Sequence, residues 1–302
     1  VAMMASAKKP ILYTGGGVIN SGPHASKLLR ELVALTGMPI TSTLMGLGAY
    51  PASGENWLGM LGMHGTYEAN LAMHDCDLMI CLGARFDDRI TGRLDAFSPE
   101  SRKIHVDIDP SSINKVVHVD VPIIGDVGNV LEDMVRLWRA LPNPPDKSNL
   151  QPWWQQINSW RKRDSLAYRD NSDVIMPQKA IEKLYELTKD RDTYITTEVG
   201  QHQMWAAQFY DYIHPRRWFT SGGLGTMGYG VPASVGGQLG EDLLSKREGR
   251  KPLPVINIDG DGSFSLETED GSFSLNEDGS FQVTDEDGPG FGAITGPELR
   301  TR

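Results

Sequence analysis

Short apolar runs alternate with amphipathic segments along most of the chain, and this alternation limits the possible folds more than any other feature. Apolar runs that read as buried strands, most of them ending in glycine or acidic residues, occupy 11–17, 39–43, 77–82, 103–108 and 121–125. Segments with the apolar spacing of helices lie at 23–37, 66–74 and 127–141. Strands that alternate with helices favour a parallel sheet with crossover helices. The sequence therefore predicts a doubly wound α/β domain over residues 1–141.

A second α/β domain is predicted for residues 174–263. Its helices are expected at 176–189 and 203–212, and its strands at 194–197, 218–220 and 255–258. A glycine-dense turn at 222–230 opens a further helix. Each glycine inside a helix destabilises that helix by about 1 kcal/mol relative to alanine, so this many glycines do not favour a packed helix. They favour a turn whose backbone comes close to a ligand. Gly200-Gln201-His202-Gln203 at a helix start offers N–H groups, amides and an imidazole to an anion such as phosphate. A tight turn with a histidine cap is the alternative.

The remaining segments differ in composition from these two domains. Residues 142–173 are predicted to be a linker that contains a helix at 153–168. Residues 264–302 form an acidic tail, and the DGSF unit that begins at Asp261, just before the tail, recurs within it at Asp270 and Asp278. Its Asp-Gly steps favour hairpins, whereas its acidity and low complexity favour disorder, which is the default expectation.

Charge and cysteine content narrow the class of protein. The net charge is −10, and 11 acidic and 2 basic residues in 259–302 account for −9 of it. No basic patch indicates nucleic acid, and no apolar run reaches the length of a membrane span. Cys76 and Cys81, the two cysteines, lie in an apolar stretch and are expected to be buried free thiols. Without a recognisable signal peptide, we expect a cytoplasmic protein.

Polar and glycine residues follow four of the first domain's predicted strands. These strand ends carry Gly15–Gly17, then Gly83 with Arg85, Asp87 and Arg89, then Asp107 and Asp109, and finally Gly125 and Asp126. Ligands of parallel sheets bind beyond the carboxyl ends of the strands, so these residues predict one nucleotide-sized site. Each of these motifs is weak by itself. Gly15, Gly17 and Asn20 match the dinucleotide-binding glycine pattern only in part, and His64 between two glycines could be an ordinary loop histidine. Arg85 and Arg89 could simply pair with Asp87 and Asp88 on a solvated face.

Asp261 follows the last predicted strand and is a candidate ligand for a hard cation such as Mg²⁺ beside a diphosphate. A calcium-binding loop is the competing interpretation, because Asn257, Asp259, Asp261 and Gly262 fit its first positions. Thr268 stands where that loop requires glutamate, and a strand rather than a helix precedes it. The magnesium interpretation is therefore preferred.

Both predicted domains together resemble the large, catalytic subunit of acetolactate synthase (acetohydroxyacid synthase), a thiamine-diphosphate enzyme. The motifs that carry the resemblance over about residues 10–237 are ILYTGGG, LGMLGMHG, GARFDDR, HVDIDPSSINKVV, EVGQHQMWAAQ and TSGGLGTMGYGVPA. The first four, with Gly125–Asp126, resemble the family's central FAD-binding domain. The last two resemble the start of its diphosphate-binding domain.

The resemblance implies three sets of cofactor contacts. For FAD, which is structural in this family, it implies Gly15, Gly16, Gly17, Thr43, Leu44, Met63, His64, Gly65, Gly83, Arg85, Asp87, Arg89 and Asp126. For thiamine diphosphate it implies Val199, Gly200, Gln201, His202, Gly225 and Met227, and for magnesium Asp261.

The family joins a pyruvate-derived two-carbon unit to a second 2-oxo acid in branched-chain amino-acid biosynthesis. The resemblance thus implies small 2-oxo acid substrates, a homo-oligomer and a regulatory subunit. The glutamate that activates thiamine in this family belongs to an N-terminal pyrimidine-binding domain, which is expected to be absent from this sequence, so no catalytic base is predicted here. The second domain is expected to be truncated. Two other functions remain open: a non-catalytic FAD- or nucleotide-binding module, and another thiamine-diphosphate carboligase or decarboxylase.

Overall fold

The computed structural model describes residues 1–170 and 174–260, together with the backbone of three short strands at 266–268, 271–275 and 281–284. The chain divides into two compact units. Unit 1 consists of Val1–Tyr194 and Met204–Trp218, and unit 2 consists of Ile195–Gln203 and Phe219–Arg302. Within the described ranges, no helix is long and apolar enough to cross a membrane. The predicted domain boundaries at 141, 173 and 263 stay a prediction.

A six-stranded parallel sheet forms the centre of unit 1. Its strands are β1 (Pro10–Thr14), β2 (Ile40–Ser42), β3 (Trp57–Met60), β4 (Leu78–Leu82), β5 (Arg102–Asp107) and β6 (Val121–Ile124). They lie in the order β3-β2-β1-β4-β5-β6, and all neighbouring pairs are parallel. The chain therefore winds outward in both directions from the β1–β4 pair. Doubly wound sheets of this order bind dinucleotides beyond the carboxyl ends at that point, and the predicted α/β class is confirmed.

Helices pack on this sheet through two apolar cores. The helices that contribute residues to these cores are α1 (Ala2–Ser6), α2 (Gly16–Asn20), α3 (Pro23–Thr36), α4 (Tyr67–Asp75), α5 (Asp88–Thr91), α6 (Val127–Arg139) and α7 (Gln151–Arg161). Helix α8 (Pro177–Thr188) also belongs to unit 1. Successive residues of a strand face opposite sides. Leu12 accordingly belongs to the core beneath α3 and α6, and Ile11 and Tyr13 belong to the core beneath α4 and α7. Each fully buried leucine, such as Leu29, stabilises the fold by about 1.5–3 kcal/mol.

Helix α3 shows why the sequence pattern located most helices well. Pro23 occupies its first turn, where no N–H is needed, and Gly37 ends it with a φ of +71° and an N–H bond to the Val33 carbonyl. Its buried face includes Leu29 and Leu32, as its apolar spacing predicts. The expected range of 23–37 therefore differs from the structure by one residue.

Four short elements of unit 1 were not predicted, namely α1, α2, β3 and α5. Strand β3 contains Gly59, whose φ is +88° and whose hydrogen faces the Thr66 side chain closely enough to exclude a Cβ. A strand broken by such a glycine lacks the apolar run that identifies the others. Helix α5 spans only one turn after Asp87, too few residues for a helical period to show in the sequence.

Helix α7 lies inside the segment predicted as a linker. Trp153 is buried, and its indole N–H donates to the Pro10 carbonyl at 3.0 Å. Ile157 is fully buried beside it, and the Trp160 ring meets the Trp153 ring edge to face. The segment therefore contributes an apolar face to the unit 1 core, as its tryptophan content suggests.

Unit 2 contains a small sheet and a long helix. The sheet consists of β7 (Tyr194–Thr197), β8 (Trp218–Thr220) and β9 (Val255–Ile258) in the order β8-β7-β9. Helix α9 (Gln201–Phe209) starts after β7, and α10 (Gly230–Glu248) follows the glycine turn and ends at Gly249 in a left-handed cap. Only the first turn of α9, up to Gln203, belongs to unit 2; the rest of that helix and the first residues of β7 and β8, Tyr194 and Trp218, belong to unit 1. These elements match their predicted positions to within a few residues.

Three described strands in the tail form an antiparallel meander. They are β10 (Leu266–Thr268), β11 (Gly271–Leu275) and β12 (Phe281–Thr284), with Phe273 paired to Leu266 and Val283. This is the hairpin alternative of the two that the repeats left open. The expectation of disorder for the rest of 264–302 falls outside the described residues.

Candidate cofactor-binding sites

The carboxyl ends of β1 and β4 meet through backbone groups. The Gly15 N–H donates to the Leu82 carbonyl at 3.1 Å, and the Gly17 N–H donates to the Gly83 carbonyl at 2.9 Å. A Cβ on Gly15 would lie 2.5 Å from the Gly83 oxygen, and a Cβ on Gly17 would lie 2.6 Å from the Gly83 Cα. Gly83 itself has a φ of +59°, which favours glycine. These three predicted residues therefore form one close backbone junction at the point where the winding direction changes.

The loop that leaves β4, Gly83–Asp87 (the β4 loop), turns its first carbonyl groups inward. The carbonyls of Gly83, Ala84 and Arg85 all accept hydrogen bonds from the protein interior. Because a trans peptide group directs its N–H opposite to its carbonyl, the N–H groups of Ala84, Arg85 and Phe86 point the other way. Within residues 1–170 and 174–260, none of these three N–H groups has an acceptor. The loop thus offers three successive donors to a ligand.

Arginine and methionine side chains flank this loop. Arg85 pairs with Asp87 at 3.0 Å, and both side chains are more than half exposed. An exposed pair of this kind contributes at most about 1 kcal/mol, so a phosphate competes for Arg85 readily. The Arg89 guanidinium lies 3.7 Å from the Met63 sulfur, and the Arg89 carbonyl accepts the Met63 N–H at 2.9 Å. The structure therefore brings these four predicted residues together around exposed positive charge.

His64 and Gly65 belong to the turn that follows β3. The His64 side chain is exposed, and its carbonyl accepts a hydrogen bond from Gln208 at 2.8 Å. A Cβ on Gly65 would lie 2.5 Å from the Leu61 backbone, so packing within the turn is enough to require glycine there.

Asp126 caps the first turn of α6. Its carboxylate accepts hydrogen bonds from the Ser21 hydroxyl at 2.6 Å and from the Gly128 N–H at 2.9 Å. The Ser21 hydrogen bond is the main reason that the pKa of Asp126 lies below its ordinary value, so the carboxylate is charged at neutral pH. Val127, the next residue, packs near Gly83, which brings the ends of β4 and β6 close together.

The other predicted residues of unit 1 lie at the ends of β1 and β2. The Thr43 N–H donates to the Thr14 carbonyl at 2.9 Å, and Leu44 begins a short 3₁₀ turn. Gly16 begins α2, and a Cβ there would lie 3.3 Å from the Met45 side chain. Backbone and side-chain contacts thus join the carboxyl ends of β1, β2, β4 and β6 at one edge of the sheet.

These features fit a dinucleotide such as FAD. The close glycine junction leaves the strand ends without side chains, and the β4 loop presents N–H donors that the described part of the chain does not use. Arg85 and Arg89 supply positive charge beside them. Such a donor set suits phosphate oxygens and the acceptor atoms of a flavin ring.

In unit 2, a buried glutamate organises the carboxyl end of β7. Glu198 is 3% exposed, and its Oε1 accepts the Gly228 N–H at 2.7 Å. Its own N–H donates to Asp259 at 2.8 Å, which ties β7 to the end of β9. The glycine turn is therefore held next to the start of α9 by one carboxylate.

His202 lies in the first turn of α9 beside this carboxylate. Its Nε2 is 3.8 Å from Glu198 Oε2 and is buried, yet it has no hydrogen-bond partner within the described residues. Gly200 precedes the helix, and Gly225 lies opposite Val199, where a Cβ would come within 3.7 Å. The first N–H groups of a helix have no partner within it. An orphaned imidazole nitrogen and free helix N–H groups together fit a diphosphate.

Gln201 and Met227 complete the predicted thiamine-diphosphate set. Both side chains are exposed, and the exposed fraction of Met227 is 73%. Neither side chain forms a hydrogen bond with a described residue. Gly225 and Gly228 have φ values of +64° and +75°, so the turn that carries Met227 depends on glycine at two positions.

Asp261, the predicted magnesium ligand, lies outside the described residues. Among the residues that are described, no group of three or more histidines, cysteines and acids suits a metal ion. The Asn257 side chain bonds Thr196 and Asp259, and Asp259 accepts the Glu198 N–H. Two oxygens that a calcium loop would need are thus engaged within the sheet, which argues against that alternative.

Sequence reasoning missed Glu198 and the β4 loop N–H groups. Glu198 stands in the quoted motif EVGQHQ, and an acidic residue directly after a buried strand is a signal that it faces other groups at the sheet edge. The free N–H groups of Ala84 and Phe86 have no such signal, because only the tertiary hydrogen bonds of their neighbours reveal them.

Comparison with known proteins agrees with this architecture. A family model described as the central domain of thiamine pyrophosphate enzymes matches residues 1–134. A second model, described as their C-terminal TPP binding domain, matches residues 198–271. The two spans together cover more than half of the chain, which therefore belongs to the thiamine pyrophosphate enzyme family.

Within that family the chain is similar to acetolactate synthase large subunits. It is 45% identical over 275 residues to the isozyme 3 large subunit of Escherichia coli (strain K12), a match that covers 90% of this chain and 45% of that protein. The acetolactate synthase large subunit of Buchnera aphidicola subsp. Schizaphis graminum (strain Sg) is 45% identical over 268 residues, covering 89% of this chain and 44% of that protein. The acetolactate synthase of Mycobacterium leprae (strain TN) is 45% identical over 269 residues, a match that covers 89% of this chain and 41% of that protein. The chain spans less than half the length of these relatives, and the predicted resemblance is confirmed.

Proposed function

We propose that this chain carries the cofactor-binding parts of an acetolactate synthase-like enzyme that condenses pyruvate with a second 2-oxo acid in branched-chain amino-acid biosynthesis. Identity near 45% to proteins of that name supports the proposal. The observation that carries it is the buried His202 nitrogen, which has no partner in the described part of the chain and lies next to Glu198 in the span matched by the TPP binding domain.

Thiamine diphosphate would be held at the end of β7 by Val199, Gly200, Gln201, His202, Gly225 and Met227. When bound, it supplies the carbon nucleophile that attacks a 2-oxo acid carbonyl. His202 would donate or accept a hydrogen bond at the cofactor through Nε2. Glu198 would position the glycine turn rather than contact the cofactor, because its carboxylate accepts the Gly228 N–H. Magnesium, with Asp261 as a ligand, would neutralise the diphosphate charge.

FAD would bind unit 1 at the β1–β4 junction. The groups proposed to hold it are the thirteen residues that the resemblance implies, together with the N–H groups of Ala84 and Phe86. Arg85 and Arg89 would meet phosphate oxygens, while Gly15 and Gly17 would keep the strand ends free of side chains. We further propose that this flavin has a structural role.

A non-catalytic FAD- or nucleotide-binding module is a second candidate function. One observation favours it: all six strands and every proposed flavin contact belong to unit 1. Flavin binding there does not require any residue of unit 2.

The proposed partners follow from the same comparison. Relatives named as large subunits support assembly with a small regulatory subunit, and we propose a homo-oligomer that acts on small 2-oxo acids. A cytoplasmic location is proposed on the same basis.

Calorimetric titration of the full chain with thiamine diphosphate and Mg²⁺ tests the catalytic proposal. We expect saturable binding that needs Mg²⁺ and that weakens about tenfold in His202→Ala, the loss of one hydrogen bond to a charged group. His24→Ala, a change at an exposed histidine of unit 1, should leave the affinity unchanged. A chain that binds FAD and no thiamine diphosphate would favour the binding module instead.

Product analysis then distinguishes the enzyme classes. Pyruvate is supplied with thiamine diphosphate, Mg²⁺ and FAD, and the products are identified by mass spectrometry. Acetolactate is the product that the proposal expects from the assembled enzyme. Acetaldehyde or acetoin as the direct product would indicate a decarboxylase or another carboligase.

A further inference from the structure

Three buried side chains that can donate hydrogen bonds lie side by side across the unit 1 sheet. Tyr13 of β1 is in register with Cys81 of β4, and Cys81 is in register with His105 of β5. All three are fully buried. Residues in register on neighbouring strands face the same side of the sheet, so they form a continuous row.

All three side chains bond carbonyl groups of the same loop. The Tyr13 hydroxyl donates to the Arg85 carbonyl at 2.8 Å. The Ala84 carbonyl accepts from Cys81 Sγ at 3.1 Å and lies 2.9 Å from His105 Nε2. Convergence of three donors from three strands on two successive carbonyls fixes the direction of both peptide groups.

Protonation keeps each member of the row in its donor form. Burial raises the pKa of Tyr13 and of Cys81 well above their ordinary values, so the hydroxyl and the thiol keep their protons at neutral pH. Burial also lowers the pKa of His105, so its ring is neutral. Since the Ala84 carbonyl can only accept, the single ring proton is on Nε2, and Nδ1 has no partner among the described residues.

The direction of these carbonyls determines what the loop presents on its other side. With the Ala84 and Arg85 carbonyls directed inward, the N–H groups of Arg85 and Phe86 point outward. Both lack an acceptor within residues 1–170 and 174–260. The Gly17 N–H on the Gly83 carbonyl fixes the preceding peptide in the same way, at 2.9 Å.

We propose that Tyr13, Cys81 and His105 form a carbonyl clamp, a set of positioning residues that fixes the β4 loop and thereby sets its affinity for a dinucleotide. This inference rests on the flavin site of the proposed function. A loop free to rotate its peptides would lose part of its binding free energy in ordering the donors, whereas a clamped loop is already ordered.

Packing alone is the competing explanation for this row. The Phe86 ring lies 5.9 Å from the Tyr13 ring and 5.1 Å from the His105 ring. Packing depends on the rings, however, and the clamp depends on the hydroxyl and thiol protons. Tyr13→Phe removes the hydroxyl and Cys81→Ala removes the thiol, and both leave the three rings in place, so these substitutions separate the two explanations.

The chain offers a matched control for two members of the clamp. Tyr13→Phe removes a buried hydroxyl that bonds the β4 loop, and Tyr212→Phe removes a buried hydroxyl that bonds the Ala206 carbonyl. Cys81→Ala and Cys76→Ala form a second pair, since the Cys76 thiol bonds the Met73 carbonyl instead. Both members of each pair belong to unit 1.

Two readouts test the clamp in the full chain. Hydrogen exchange at the Gly17 N–H reports opening of the β4 loop without any ligand, because this group bonds the Gly83 carbonyl. Titration with FAD, followed by visible absorption, reports the affinity. For Tyr13→Phe we expect about fivefold faster exchange and about fivefold weaker FAD binding, and for Cys81→Ala about half that factor, since Ala84 keeps its His105 bond.

Each result supports or refutes a separate statement. The clamp is supported when Tyr13→Phe and Cys81→Ala change both readouts and their controls change neither. Equal effects in a variant and its control would mean a general loss of packing and would refute the clamp, as would unchanged exchange with normal FAD binding. Faster exchange in a chain whose parent binds no FAD would refute the flavin site and, with it, the clamp's role in affinity.

Discussion

Gly17→Ala tests the β1–β4 junction on which the unit 1 site depends. A Cβ at this position would lie 2.6 Å from the Gly83 Cα and 2.9 Å from the Gly83 oxygen. Approaches under 3.0 Å are essentially never tolerated, so the two backbone segments would have to separate by at least 0.4 Å, the difference between 3.0 and 2.6 Å. Both atoms belong to the backbone, so no side-chain rotation relieves the contact.

The expected magnitude follows from two opposing effects. Overpacking of this kind costs about 1–3 kcal/mol, and alanine in place of glycine within a helix returns up to about 1 kcal/mol. Taking the middle of the overpacking range, about 2 kcal/mol, and subtracting a return of up to about 1 kcal/mol, we expect Gly17→Ala to lower the free energy of unfolding of unit 1 by about 1–2 kcal/mol. Gly16→Ala is the matched control one residue earlier: its Cβ would meet the Met45 side chain at 3.3 Å, and Met45 is 42% exposed and free to move. Its expected change is within about 0.5 kcal/mol of zero.

Urea denaturation followed by tryptophan fluorescence measures this difference. All seven tryptophans of the chain belong to unit 1, so the signal reports that unit. Gly17→Ala should shift the midpoint to lower urea without changing the slope, and it should also weaken FAD binding. Equal stability of Gly17→Ala and the parent chain, or equal loss in Gly16→Ala, would refute the close backbone junction.

Three further variants test other parts of the account. Glu198→Ala removes the acceptor of the Gly228 N–H and should weaken thiamine-diphosphate binding about tenfold by calorimetry, a result that unchanged affinity would contradict. Arg217→Lys keeps the charge and loses the two-bond pairing with Asp192, so unit 1 should become about 1 kcal/mol less stable in urea; no loss would show that the pair is not formed in solution. Asp211 lines a cavity of about 220 Å³. Although solvent reaches the Asp211 side chain, partial burial raises its pKa above the ordinary value of 3.8. The folded chain then binds this proton more tightly than the unfolded chain, and stability falls as pH rises above 3.8 through the raised value. Asp211→Asn should raise the Tm at pH 7 and lose that advantage at pH 3, and an advantage that persists at pH 3 would contradict the assignment.

The strands were predictable where burial is continuous. Strand β1 consists of five fully buried residues and β4 of five more, and both appear in the sequence as unbroken apolar runs that end at glycine. Strand β3 escaped notice because Gly59 interrupts it for a packing reason that involves Thr66, a residue seven positions away. The local sequence pattern does not show a packing contact between Gly59 and Thr66.

The candidate site divides in the same way. Because parallel strands end at one edge, Gly15, Gly83 and Asp126 could be assigned to a common site from the order of elements alone. The row formed by Tyr13, Cys81 and His105 could not, since it depends on the register between three strands. The role of Glu198 could not be predicted either, because it depends on the hydrogen bond from the Gly228 N–H, 30 positions further along the chain.

The most direct measurement is an equilibrium titration of the full purified chain with FAD, followed by visible absorption and tryptophan fluorescence. The account predicts saturable binding of about one FAD per chain, because one junction and one β4 loop supply the donors. It also predicts weaker binding in Gly17→Ala than in Gly16→Ala. Absence of saturable binding by a folded chain would contradict the dinucleotide site at the β1–β4 junction.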